Sequence, residues 1–76
     1  MAKVRRDPLL RSLGSKVKRF REDRGWTQET LAGRSSLDRS YVAGIEAGLR
    51  NPSTKALAKL ARALGVTLSA LFEDVG

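Results

Sequence analysis

The chain has 76 residues, of which 41% are hydrophobic and 30% charged, so it forms one small domain and is too apolar for a disordered segment. It has no cysteine and no histidine, which excludes disulfides, thiolate chemistry, zinc sites of the Cys/His kind and a histidine general base. The net charge is +7, and residues 1–24 carry nine basic against three acidic side chains. Such an excess attracts a polyanion such as nucleic acid, and it is equally compatible with a solvated basic face.

Residues 1–8 are predicted to form a basic flexible arm, and residues 9–76 the folded domain. Three alternatives are open for the arm's basic side chains, Lys3, Arg5 and Arg6: with a nucleic-acid partner they would follow the phosphates or enter a minor groove, and otherwise they would stay disordered. Pro8 suits the start of a helix because it lacks a backbone donor. No apolar run is long enough for a membrane span or a secretory signal, and the absence of cysteine fits a cytoplasmic protein.

Apolar residues at helical spacing predict a first helix that runs to about Arg24, with Gly25 ending it: Leu10, Leu13, Val17 and Phe20. Trp26 then lies in a turn, where it packs as a partly buried staple rather than stacking on a ligand. Thr27 is a good N-cap for a second helix, whose inward side is Leu31 and Ala32.

The small polar stretch 33–36 is expected to form a turn, after which Asp38 is the best N-cap of a third helix that ends near Ala47. Its inward side is predicted to continue past the helix end: Val42, Ile45 and Leu49. Gly48 supplies the stop.

A turn at Asn51, Pro52 and Ser53 leads into a fourth helix that ends at Gly65. One face of this helix is apolar: Leu57, Leu60, Ala61 and Leu64. Thr67 caps a short fifth helix. Five helices, short loops and no strand pattern predict an all-α domain, a compact five-helix bundle with a helix-turn-helix at helices 2 and 3.

The third helix carries the pattern that points to function. With Val42 and Ile45 inward, its remaining N-terminal residues face outward: Arg39, Ser40, Ala43 and Gly44. A recognition helix uses these positions to reach base edges. Arginine can bond bidentately to guanine, serine can bond a base or a phosphate, and small residues allow a close approach to the groove. The alternative is an ordinary exposed arginine beside small residues that only ease packing.

A set of residues at fixed spacing resembles the Cro/C1 (XRE) helix-turn-helix family of phage and bacterial repressors: Thr27, Gln28, Leu31, Ala32, Ile45, Glu46, Gly48 and the turn 51–53. The resemblance extends from about Leu13 to Phe72. Within the family, the segment 37–53 is most similar to the controller proteins of restriction–modification systems. Ser36 and Leu37 depart from the Gly-Val pair that many members have at the turn, although the controller-like members share this form.

The resemblance implies roles for several positions. Arg39 and Ser40 match base-reading residues, and five residues match or adjoin backbone-contacting positions: Thr27, Gln28, Tyr41, Arg50 and Asn51. An arginine near position 50 also reaches bases in controller-like members. Arg21 and Glu46 match a buried structural ion pair between helices 1 and 3 that fixes the pose of the reading helix.

The resemblance also implies partners. These are a near-palindromic double-stranded DNA operator, a second copy of the chain and, where the regulator activates, RNA polymerase. The dimer surface would be the C-terminal segment with Leu68, Leu71 and Phe72, although these three side chains can instead complete the core. No cofactor, metal, membrane or small-molecule effector is expected.

Three other classes of protein compete with a transcription regulator. An enzyme is disfavoured because the acidic residues are scattered and no nucleophile–base pair is present. A protein-interaction module, or the antitoxin of a toxin–antitoxin pair, is the main alternative, since the same fold serves both. A basic amphipathic first helix lying on an anionic membrane is the third.

Overall fold

The computed structural model describes residues 7–75, which form five α-helices and no strand: α1 Pro8–Asp23, α2 Gln28–Ser35, α3 Arg39–Glu46, α4 Thr54–Leu64 and α5 Leu68–Phe72. The predicted all-α five-helix architecture is confirmed. None of the helices in this stretch combines the length and apolar character that crossing a membrane requires.

Helix α1 begins at Pro8, one residue after its N-cap Asp7, whose Oδ1 accepts a 2.8 Å hydrogen bond from the Leu9 amide. Asp7 and Pro8 therefore belong to the start of α1, and the boundary predicted for the arm is two residues too late. The arm residues 1–6, with Lys3, Arg5 and Arg6, lie outside the described residues.

The core is built from large aliphatic side chains that are almost entirely buried: Leu13, Val17, Leu31, Val42, Ile45, Leu60, Leu64 and Leu71. Each such side chain contributes roughly 1.5–3 kcal/mol when removed from water. The α1 backbone approaches α3 closely at Gly14, because a Cβ built there would lie 2.6 Å from the carbonyl oxygen of Glu46. Leu10 and Phe20, also predicted to face inward, are only half-buried.

The expected turn at residues 33–36 is largely wrong, because α2 continues through Ser35. The Ser35 side chain is buried, and its hydroxyl donates a 2.6 Å hydrogen bond to the Leu31 carbonyl one turn earlier. A small polar residue therefore continues the helix here. The turn begins only at Ser36, which adopts the left-handed conformation with φ 57°.

Helix α3 ends close to the predicted position, with Gly48 in the left-handed region at φ 75°. This glycine turns the chain away from the helix axis. Leu49 consequently does not extend the inward line, and 57% of its surface is exposed. Helical spacing does not predict the direction of Leu49 because α3 ends at Glu46, three residues earlier.

Helix α4 has the predicted buried face and ends at Leu64, with the predicted Gly65 as its C-cap, and α5 packs against α1 and α4. Thr67 caps α5 as predicted, accepting a 3.0 Å hydrogen bond from the Ala70 amide. Leu71 is fully buried in the core, whereas Leu68 and Phe72 are 38% and 42% exposed. Of the three residues predicted for a dimer surface, Leu68 and Phe72 are therefore exposed, whereas Leu71 is part of the core and is not available to a partner.

Candidate nucleic-acid interface

Helices α2 and α3 are joined by three residues that form a tight turn. The left-handed Ser36 reverses the chain, and the Leu37 amide returns to bond the Ala32 carbonyl at 2.9 Å. Asp38 occupies the N-cap of α3 as predicted, but its side chain makes no capping hydrogen bond. The turn brings the start of α3 to the surface with its first residues in solvent.

The outward side of α3 follows from helical geometry, in which successive residues are about 100° apart. Val42, Ile45 and Glu46 are buried on the inner side. Arg39 and Ser40 are exposed on the first turn, as the predicted base-reading role requires. The other two residues of that predicted set, Ala43 and Gly44, are half-buried.

The inner side of α3 is fixed by a bidentate ion pair with α1. Arg21 Nε lies 2.7 Å from Glu46 Oε2, and Arg21 Nη2 lies 3.0 Å from Glu46 Oε1. Both side chains are buried, and Arg21 Nη1 also donates a 2.7 Å hydrogen bond to the Trp26 carbonyl. The hydrogen bonds to Glu46 raise the pKa of Arg21 above its ordinary value against the opposing effect of burial, so the guanidinium stays charged.

Gln28, at the first position of α2, joins the same cluster. Its Nε2 donates a 3.0 Å hydrogen bond to Glu46 Oε1, a contact that the sequence reasoning did not find. The preceding Thr27 is exposed and caps α2 through a 3.0 Å hydrogen bond from the Thr30 amide. The start of α2 is therefore tied to α3 while its first amides remain near the surface, where a helix N-terminus favours an anion.

The loop after α3 presents two more of the predicted residues, since Arg50 and Asn51 are both exposed. Tyr41 is half-buried, and its hydroxyl accepts a 3.2 Å hydrogen bond from the Ser53 amide at the N-cap of α4. The loop is thereby tied to the outer edge of α3. The Arg50 guanidinium lies 5.8 Å from the centre of the Tyr41 ring, so this loop side chain lies beside α3.

Trp26 is half-buried against the core, as predicted for a staple between α1 and α2. The guanidinium of Arg34 lies 4.5 Å from the centre of its ring, within the range of a cation–π contact. This arginine covers the outer face of the indole. The tryptophan thus packs between the core and a side chain of α2.

A short helix, a tight turn and a second helix with a free outer side define a protein of the helix-turn-helix class. A family model described as helix-turn-helix matches residues 17–71, and the chain belongs to this family. The resemblance to the Cro/C1 (XRE) family that the sequence pattern indicated is thereby confirmed.

Known proteins with similar sequence and structure include controller proteins of restriction–modification systems. The control protein C.MunI of Mycoplasma sp is 43% identical over 63 residues, covering 82% of this chain and 85% of that protein. The crystal structure of the restriction–modification controller protein C.AhdI from Aeromonas hydrophila is 46% identical with a TM-score of 0.82, covering 83% of this chain and 96% of that one. The controller protein C.Esp1396I, solved as a tetramer with its natural 35 base-pair operator, is 39% identical with a TM-score of 0.80 and 88% coverage of both chains.

Proposed function

We propose that this chain is a sequence-specific, double-stranded DNA-binding transcription regulator that acts as a homodimer on a near-palindromic operator. Its similarity to C.MunI, C.AhdI and C.Esp1396I further supports a role as a restriction–modification controller that regulates its own operon and an endonuclease gene. It would act in the cytoplasm, without enzymatic activity. A regulator of this size represses by occupying a promoter or activates by touching RNA polymerase from an adjacent site.

The observation that carries the proposal is the two-sided character of α3. Its inner side is locked to α1 and α2 through the Glu46 carboxylate, while Arg39 and Ser40 on its first turn are free in solvent. A rigidly held helix with exposed polar residues at its N-terminal end suits insertion into the major groove. Arg39 would bond a guanine bidentately, and Ser40 a base edge or a phosphate.

The remaining polar residues would position the protein on the DNA backbone. Thr27 and Gln28 lie at the N-terminus of α2, where backbone amides and the helix dipole favour a phosphate. Tyr41, Arg50 and Asn51 lie at the outer edge of α3 and in the loop that follows it. Phosphate contacts of this kind fix orientation and register, and base contacts then supply specificity.

The dimer surface that we propose consists of Leu68 and Phe72, the two large apolar side chains that α5 leaves exposed. Two-fold association through α5 would place two copies of α3 on successive turns of the major groove, about 10 base pairs apart. Regulation would then depend on protein concentration, dimerisation and the arrangement of operator sites.

The experiment that tests this function is selection from a random duplex library at near-physiological salt, followed by sequencing of the enriched pool. A two-fold-related motif with half-sites about 10 base pairs apart is the expected result. Absence of any enriched motif would contradict the proposal. Capture of a tightly held protein partner would then favour the interaction-module or antitoxin class.

A further inference from the structure

Gly44 in α3 and Arg50 in the following loop are in direct contact. A Cβ built on Gly44 would lie 2.5 Å from Arg50 Cγ and 3.5 Å from Arg50 Nε. The aliphatic part of the arginine therefore occupies the space that any other residue at position 44 would need for its side chain. The backbone makes the same connection, because the Gly44 carbonyl accepts hydrogen bonds from the amides of Leu49 at 2.9 Å and Arg50 at 3.2 Å.

Tyr41 extends this contact along the helix. It lies three residues before Gly44, so the two positions are neighbours on one face of α3. The guanidinium carbon of Arg50 lies 5.8 Å from the centre of the Tyr41 ring, and the ring is held in turn by the hydrogen bond from the Ser53 amide. Arg50 thus lies across Gly44 with its charged end towards an anchored aromatic ring.

The backbone conformation at position 44 does not require a glycine. Its φ lies outside the left-handed region, unlike that of Gly25, Gly48 or Gly65. A glycine within a helix is destabilising relative to alanine, so a helix former would be favoured here on local grounds. What a glycine provides at position 44 is space for the Arg50 side chain.

We propose that Gly44 is a positioning residue for Arg50: by leaving the outer side of α3 bare, it seats the Arg50 side chain against Tyr41 in the orientation used on DNA. This inference rests on the proposed function. It replaces the expectation that Gly44 serves mainly to let α3 approach the groove. It also makes the loop arginine part of the surface formed by α3.

The test compares four variants with the wild type on the duplex that the wild-type protein enriches from a random library: Gly44→Ala, Arg50→Ala, the double variant and Gly33→Ala. Gly33 is the matched control, because it is also a helical glycine but a Cβ there would meet nothing within 4 Å. Gly44→Ala leaves the net charge unchanged, so weaker binding by this variant cannot come from lost long-range attraction.

We expect Arg50→Ala and Gly44→Ala each to weaken binding about tenfold, and Gly33→Ala to bind like the wild type. The double variant should bind no more weakly than Arg50→Ala alone, because the glycine acts through the arginine. Wild-type binding by Gly44→Ala would overturn the inference. So would losses that multiply in the double variant, which would mean that Gly44 meets the DNA itself.

A measurement without DNA separates this inference from the proposed function. Tyr41 is the single tyrosine of the chain, so nuclear Overhauser contacts between its ring and the Arg50 side chain can be assigned directly. These contacts should be present in the wild type and in Gly33→Ala, and lost in Gly44→Ala. Contacts retained in Gly44→Ala would overturn the seating role, whereas failure of the wild type to enrich any duplex would overturn the proposed function.

Discussion

Gln28 at the start of α2 and Glu46 at the end of α3 are joined by a 3.0 Å hydrogen bond, and the same carboxylate forms the ion pair with Arg21 on α1. Three helices therefore meet at one buried acidic side chain. Because a buried charge is costly unless it is paired and hydrogen-bonded, the pose of α3 depends on both partners. Arg21 gives Glu46 a counter-charge and two hydrogen bonds, whereas Gln28 gives it one hydrogen bond, so the two side chains should contribute unequally to stability.

Arg21→Ala is expected to lower the free energy of unfolding by about 3–5 kcal/mol, because it leaves the Glu46 carboxylate buried without its counter-charge. Thermal denaturation followed by circular dichroism measures the loss, and DNA binding should fall with it. The double replacement Arg21→Met with Glu46→Leu is the control, since it removes both charges and should recover much of the stability. Weaker DNA binding at an unchanged melting temperature would instead identify Arg21 as a DNA contact.

Gln28→Ala is expected to cost only about 1 kcal/mol, because Glu46 keeps both hydrogen bonds from Arg21. Gln28→Glu should destabilise more, since it places a second carboxylate beside the first. Urea denaturation of the two variants gives both free energies. Equal stability of Gln28→Ala and the wild type would show that the hydrogen bond contributes nothing to holding α2 against α3.

Ser36→Gly is expected to stabilise the protein by about 1 kcal/mol, because a non-glycine residue in the left-handed region is strained and the Ser36 side chain is exposed. In a domain of this size the melting temperature should rise by roughly 4–8 °C. Gly65→Ala is the converse control: its φ is 71° and an added Cβ meets nothing within 4 Å, so only backbone strain is introduced. A melting temperature that falls in Ser36→Gly would contradict this account of the turn.

The sequence predicted the helices well because local signals coincide at their ends. Thr27, Thr67 and Gly65 occupy the cap positions expected of them, and the periodic apolar residues of α4 face the core. The misplaced residues were predicted from residue type and periodicity alone, whereas contacts within four residues of the chain decide their positions. Ser35 continues α2 because its buried hydroxyl finds a backbone carbonyl, and Leu49 is exposed because Gly48 turns the chain away.

The candidate site depends on both local and tertiary information. Exposure of Arg39 and Ser40 follows from the inward positions on their own helix, so a periodic pattern is sufficient to predict it. The contacts of Gln28 with Glu46, and of Gly44 with Arg50, join residues on different elements. Neither contact has a sequence signal apart from the fold that brings the two residues together.

Arg39→Ala is expected to relax selection at one guanine position of each half-site, a loss of about 1–3 kcal/mol of discrimination. Repeating the library selection with the variant measures this directly. Lys59→Ala is the matched control, because it removes the same charge from the exposed side of α4. If both variants weakened binding equally on all sequences, Arg39 would act on the backbone rather than on a base.

The dimer surface is tested by changing Leu68 and Phe72 together to serine. Both side chains are substantially exposed in the single chain, so the double variant should keep its fold while self-association weakens. Sedimentation equilibrium at tens of micromolar should show dimer for the wild type and mainly monomer for the variant. Leu71→Ala is the contrasting change: because Leu71 is fully buried, its replacement should lower the free energy of unfolding by about 2–5 kcal/mol. A wild-type protein that is monomeric at this concentration would rule out the proposed α5 dimer.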